Sequence, residues 1–287
     1  MFMIPKGKFV LGPMVLKGPC KGPINFHLQG DLVAHIDEAS NQVDHWIAFR
    51  YIDQLTINGG GHLMAKAPQL GPTTHALKIK RAQDFPFVYI VAPGDSPNTD
   101  GIHIAISNNV QILNSVISTG DDCVSIGPGS KNINISNVQC GPGHGISIGS
   151  LGGSPNEEDL IGVHVTNCNM TNTMNGVRIK SWAKPYQISV SDITFDHINL
   201  FNVSNPIIID QQYCPSRKCK PNAAYLAEKQ GLGVTDAVMK ALKDGGYDNQ
   251  TYLKVMIQSI NSSVLMKFKD NDKYEIVYKI EESIHDA

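Results

Sequence analysis

Two short runs share one layout. SPNTDGIHI at 96–104 and STGDDCVSIGPGS at 118–130 each set carboxylates just ahead of an alternating aliphatic stretch. The first supplies Asp100 and the second Asp121 and Asp122, while GHGISIG puts His144 at the equivalent point of a third run. Asp100, Asp122 and His144 follow one another at intervals of 22 residues, each two positions before the first aliphatic residue of its run. Farther on, NGVRIK carries Arg178 and Lys180 one and three positions past such a residue. Crowded carboxylates cannot all ionise at their ordinary values, so at least one is expected to keep its proton at neutral or mildly acidic pH. An acid beside an ionised carboxylate can cleave a glycosidic bond: one protonates the leaving oxygen and the other activates water. The neighbouring cations suit a substrate that itself bears carboxylates.

Each of these residues has a plainer reading taken singly. Asp and Asn at bends cap backbone N–H groups; a histidine between two glycines is a turn residue; Arg178 and Lys180 make a solvated face. Three acids, a histidine and two cations at one phase of a repeat favour the chemical reading. The competing use of such carboxylates is to hold calcium.

Repetition is what would bring them together. Ile102-His-Ile104, Val124-Ser-Ile126, Ile146-Ser-Ile148, Val177-Arg-Ile179 and Ile207-Ile-Ile209 start 22, 22, 31 and 30 residues apart. A second series, Val110-Gln-Ile112, Ile133-Asn-Ile135, Val163-His-Val165 and Ile193-Thr-Phe195, keeps pace at 23, 30 and 30. Two series drifting together describe one coil repeating, with Asn and Gly at the bends where left-handed backbone is needed. The expected fold is all-β: a right-handed parallel β-helix, its rungs about 4.8 Å apart. A β-sandwich is the alternative, but it would not hold two strand series in phase. KGKFVLGPMVLKG, INFHLQGDLVAHI and DHWIAFRYIDQLTINGGG read as earlier coils, and 62–80 as an irregular, shortened interruption. The domain expected over 1–220 gives way at 221–287 to an α+β tail: a helix from Thr235 to Gly245, a second with Leu253, Met256, Ile257 and Ile260 on one face, and a hairpin around an Asn-Asp turn.

Composition narrows the classes. A net charge of -2 and 17% charged residues give no basic surface for nucleic acid, and no apolar run approaches the ~18 residues needed to span a bilayer. MFMIPKGKFVLGP lacks the order of a signal peptide. Six cysteines include no CxxC pair, so a zinc site is not expected; Cys123/Cys140 and Cys214/Cys219 are spaced as local staples. Sequons at Asn134, Asn169, Asn202, Asn249 and Asn261 lend weak support to a secreted ancestry.

At these residues the chain resembles the plant polygalacturonases of glycoside hydrolase family 28. The motifs occur in order as Asn98-Thr99-Asp100, Gly120-Asp121-Asp122, Gly143-His144-Gly145 and Arg178-Ile179-Lys180, with Tyr213 at the place of a further tyrosine. The likeness is close over 85–220 and recognisable over 3–60, and GPCKGPI and DHWIAFRYI are nearest the exo-acting pollen type. The resemblance implies inverting hydrolysis of α-1,4-galacturonosyl linkages in pectin, with Asp121 as acid and Asp100 and Asp122 activating water. It implies that His144 supports the acid, and that Asn98, Arg178, Lys180 and Tyr213 hold the substrate. It implies paired Cys123–Cys140 and Cys214–Cys219, no metal or cofactor, a monomer acting on pectin with no membrane or nucleic-acid partner, and secretion to the cell wall. Family members carry an export signal and further residues ahead of IPKGKF, including the expected partner of Cys20, and more coils after Tyr213. An inactive, pectin-binding relic and a calcium-dependent pectate lyase on the same fold are the alternatives.

Overall fold

Apolar side chains at every second position demand strands with one face turned inward, and the described chain is built from these alone. The structure is a computed structural model that describes residues 1–35, 45–52, 55–65, 74–80 and 88–216 save 183, 185 and 187, with short strands beyond. In chain order the strands are β1 (Phe2–Ile4), β2 (Lys8–Leu11), β3 (Met14–Lys17), β4 (Ile24–Leu28), β5 (Asp31–Ala34), β6 (His45–Arg50), β7 (Leu55–Gly59) and β8 (His62–Met64). Next come β9 (Thr74–Lys80), β10 (Tyr89–Val91), β11 (Thr99–Ala105), β12 (Asn108–Leu113), β13 (Val116–Ser118), β14 (Val124–Ile126), β15 (Lys131–Ser136) and β16 (Gln139–Cys140). The last are β17 (Ile146–Leu151), β18 (Leu160–Thr171), β19 (Asn175–Trp182), β20 (Val190–Phe201), β21 (Asn205–Tyr213), β22 (Met256–Ile257), β23 (Lys267–Lys269) and β24 (Lys273–Glu275). Among the described residues there is no helix.

Strands one coil apart lie side by side. One sheet runs β3-β6-β9-β11-β14-β17-β19-β21-β22; a second runs from β2 through β5, β8, β10, β13 and β16 to β18, where β15, β12 and β20 join; β1, β4 and β7 form a third. Every pair in these three sheets is parallel, which a sandwich could not give; only β23 and β24 pair antiparallel. The register joins the residues aligned in the sequence: Ile102 with Val124, Val124 with Ile146, Ile146 with Val177, and Val177 with Ile207. The companion series Val110, Ile133, Val163 and Ile193 is likewise in register. All of these but Val177 and Ile207 are 0% exposed, so each coil contributes a layer to one continuous apolar interior. Burial of each such side chain is worth about 1.5–3 kcal/mol.

The bends between these layers use Asn at positive φ: Asn109, Asn114, Asn132, Asn137, Asn167, Asn172 and Asn202 lie between 50° and 57°. They stack as well as turn, with Asn137 Nδ2 donating to Asn114 Oδ1 at 3.2 Å and Asn202 Nδ2 to Asn172 Oδ1 at 2.8 Å.

Two expectations need correction. The segment 62–80 does not leave the coil pattern at its ends: β8 sits between β5 and β10, and β9 between β6 and β11, in register. Residues 66–73 lie outside the described residues. In the tail, Met256 and Ile257 are strand, not helix, and pair in parallel with Ile208 and Ile209. An apolar pair next to an open strand edge gains more from the ladder than from a one-sided helix. The hairpin is present as β23 and β24, whereas the helix expected from Thr235 to Gly245 lies outside the described residues.

Candidate active site

The chemically suspect residues converge where chain passes from the second sheet into the first. Asp100 belongs to β11, Asp121 and Asp122 to the turn before β14, His144 to the turn before β17, and Arg178 and Lys180 to β19. Backbone hydrogen bonds clamp these coils together: Asp121 N–H donates to Thr99 O at 3.0 Å, Gly101 N–H to Asp122 O at 2.9 Å, and His144 N–H to Asp121 O at 2.7 Å. Gly145, at φ 82°, holds the bend that presents His144; a Cβ there would collide with the carbonyl oxygens of Asn175 and Gly176.

The carboxylates have distinct partners. Asp121 Oδ1 lies 2.8 Å from His144 Nδ1. Asp122 is 1% exposed and accepts from three groups: Arg178 Nη2 at 2.7 Å and Ser147 Oγ at 2.7 Å on Oδ1, and Lys180 Nζ at 2.8 Å on Oδ2. Asp100 Oδ2 accepts from Ser125 Oγ at 2.6 Å. Tyr213 closes one side, its ring 5.2 Å from Lys180 Nζ and 5.2 Å from the Trp182 ring. Asn98 stands exposed in the turn ahead of Asp100, at φ 47°.

At least one of the crowded carboxyls is expected to be raised, but Asp121, the acid that the resemblance implies, moves the other way. Burial pushes its pKa up, but the hydrogen bond from His144, then the charges of His144, Lys180 and Arg178, outweigh burial and leave it below the ordinary carboxylate value. Burial opposes the charge on Arg178 too, yet Asp122 and Asp121 raise its pKa and keep it a cation. Side-chain direction differs from the simple column as well: His144 follows Asp122 by 22 residues, yet its backbone N–H and its ring both meet Asp121. Arg178 and Lys180 are not a solvated face, since both end on the buried Asp122.

Sequence reasoning missed Ser125, Ser147 and His103. They are the middle residues of the same aliphatic triplets, so the repeat itself marked them. The expected Cys123–Cys140 disulfide is formed, and Cys20 is free. Cys214 is disulfide-bonded, while Cys219 lies outside the described residues. Donor atoms of Asp121, Asp122 and His144 fall within 4.8 Å of one another, close enough to grip a cation. Both Asp122 oxygens already accept from cationic donors, however, so the cluster has little negative charge left for a divalent ion.

Fold and site together define a β-helix protein with a site of carboxylates and cations assembled from consecutive rungs. By comparison with known proteins the chain belongs to the glycosyl hydrolases family 28, whose model matches residues 1–69 and 70–270. That match runs beyond residue 220, where the resemblance was expected to end. A polygalacturonase of Nicotiana tabacum is 39% identical over 76% of this chain and 63% of its own length. An exopolygalacturonase of Platanus acerifolia is 39% identical over 77% of this chain and 69% of its own length. The chain thus spans less than two thirds of the first of these relatives. Among solved structures, an endo-xylogalacturonan hydrolase from Aspergillus tubingensis superposes with a TM-score of 0.56 at 21% identity, covering 79% of this chain and 71% of that one. That likeness supports the parallel β-helix.

Proposed function

We propose that this chain hydrolyses α-1,4-galacturonosyl linkages of polygalacturonate, with inversion at the anomeric carbon and exo action, in the plant cell wall. The observation that carries the reading is the Asp121–His144 pair set beside Asp122, whose two oxygens face Arg178 and Lys180. Asp121 protonates the glycosidic oxygen, and Asp100 and Asp122 direct a water at the opposite face of the sugar. His144 orients the acid. Arg178, Lys180 and Tyr213 hold the uronate ring and its carboxylate, with Asn98 at the mouth of the same turn line.

The depressed pKa of Asp121 in the free protein fits this scheme through the substrate. Arg178 and Lys180 help to hold that pKa down, and they are the cations a bound uronate engages. Its carboxylate cancels part of their field, so binding lifts Asp121 toward the value proton donation needs. The reading uses no metal or cofactor and takes the protein as a monomer acting on pectin.

Reducing-end release from polygalacturonate tests this, comparing the parent with Asp121→Asn on folded protein. The parent is expected to release sugar and the variant to lose at least about 100-fold, in line with loss of a general acid. Equal, background-level release from both would leave a pectin-binding protein without turnover. Product sizing gives the mode, since monomer alone means exo action. The closeness of the Asp121, Asp122 and His144 donor atoms motivates a second reading, a calcium-dependent lyase, against which the two cations on Asp122 count. A requirement for added calcium together with unsaturated products would establish that instead.

A further inference from the structure

We infer that Ser125 and Ser147 are positioning residues for the two water-activating carboxylates, and that His103 acts on Asp100 through Ser125. This rests on the hydrolase reading above and deepens it.

The two serines occupy one outward column of the first sheet, where His103, Ser125, Ser147 and Arg178 are successive register partners. Each reaches back 25 residues to a carboxylate: Ser125 Oγ donates to Asp100 Oδ2 at 2.6 Å, and Ser147 Oγ to Asp122 Oδ1 at 2.7 Å. Each also meets a nitrogen group of an adjoining rung, the following one for Ser147 and the preceding one, which carries Asp100 itself, for Ser125. Arg178 Nε donates to Ser147 Oγ at 3.0 Å, and His103 Nδ1 lies 2.7 Å from Ser125 Oγ. A serine has one proton to give. With Ser125 giving it to Asp100, the bond to His103 requires a proton on Nδ1 and so sets the imidazole tautomer. A carboxylate, a serine and a nitrogen group thus meet twice, with a permanent cation from the rung beyond at Asp122 and a histidine of the same strand at Asp100.

Satisfying a buried hydroxyl does not by itself explain this. Ser107 and Ser115, equally buried, donate to the carbonyl two residues back, at 2.9 Å each. Ser125 and Ser147 are 2% and 0% exposed and reach across a coil to a carboxylate instead. A carboxylate that must aim at one water gains from having an oxygen pinned by a donor that is itself held in place.

The test is steady-state hydrolysis of polygalacturonate by the parent, Ser125→Ala, Asp100→Asn and the double variant, with Ser115→Ala as the control for a buried hydroxyl bonded to backbone alone, to Leu113 O and Val88 N–H. Ser125→Ala is expected to lower kcat between about 10-fold and 100-fold with KM within about twofold. Because Ser125 acts through Asp100, adding its loss to Asp100→Asn should cost less than about twofold more. His103→Ala should move kcat the same way by a smaller factor, with His103→Asn, which keeps a donor near the Nδ1 position, recovering most of it. Ser115→Ala should lower stability and leave kcat alone. A kcat for Ser125→Ala within twofold of the parent, or penalties that multiply in the double variant, would overturn the inference while the hydrolase reading stands. A parent no more active than Asp121→Asn would remove that reading and this inference together.

Discussion

At the residue scale, one proton must be in two conditions. Free Asp121 titrates low because His144, Lys180 and Arg178 overcome its burial, yet acid catalysis needs it protonated. The sign follows directly: the competent fraction grows as pH falls, and kcat/KM, which reports the free protein, should decline as pH rises through a value below the ordinary carboxylate range. In the complex the substrate carboxylate offsets Arg178 and Lys180, so the corresponding decline in kcat should come at higher pH. Profiles of kcat and kcat/KM between about pH 3 and 7 check this, and coincident limbs would mean the substrate does not shift the acid. The positions of these residues were legible in the sequence because motif spacing reports which rung a residue occupies. Their charge states were not, since the direction at Asp121 depends on which neighbour its side chain turns toward, and a repeat period says nothing about χ angles. Ser125 and Ser147 escaped notice for a related reason: a serine between aliphatic residues looks like an ordinary outward position until a carboxylate is seen above it.

At the element scale, the coil was readable wherever each rung keeps its two aliphatic pairs in phase. It was less readable where that signal thins. The strands at His62–Met64 and Thr74–Lys80 were hidden by HLM and by the mixed THALKIK run, and Met256–Ile257 looked helical because two adjacent apolar residues fit either period. Bend chemistry was the clearest local signal, and it supports a quantitative expectation. Asn137 combines φ 57° with an exposed stacking bond to Asn114. Replacing it by Ala forces a β-carbon into left-handed backbone and should cost about 1–2 kcal/mol. Asn137→Gly relieves the backbone and loses only the exposed side-chain bond, so it should stay within about 0.5 kcal/mol of the parent. Urea unfolding of the two variants separates these values. Equal losses would mean the stacked amides, not the backbone, secure the bend.

At the scale of the whole molecule, the site has no single supporting element. Asp100, Asp121 with Asp122, His144, Arg178 with Lys180, and Tyr213 come from five successive rungs, whose backbones pair only with their neighbours while Arg178 and Lys180 reach past the rung of His144 to Asp122. Misalignment between any two of them therefore passes straight into the site. The Cys123–Cys140 disulfide ties two of these rungs, its first cysteine adjoining Asp122 and its second leading into the turn that carries His144. It closes a loop of 17 residues of sequence separation, for which the chain-entropy account gives about 3 kcal/mol. Cys123→Ala with Cys140→Ala should therefore lower the unfolding free energy by about that amount, measured with denaturant. The remaining buried thiol will not confuse the result by exchange, because burial raises Cys168 to about 11 and keeps it unreactive. The rate of sugar release should fall several-fold at a temperature where the variant remains folded, because the disulfide aligns the rung of Asp122 with that of His144. The backbone bonds across the turn, from His144 to Asp121 and from Cys123 to Gly145 at 2.8 Å, would keep the loss from being larger. A variant destabilised as expected but with an unchanged rate would show that those bonds alone align the acid pair, and that the disulfide serves stability only.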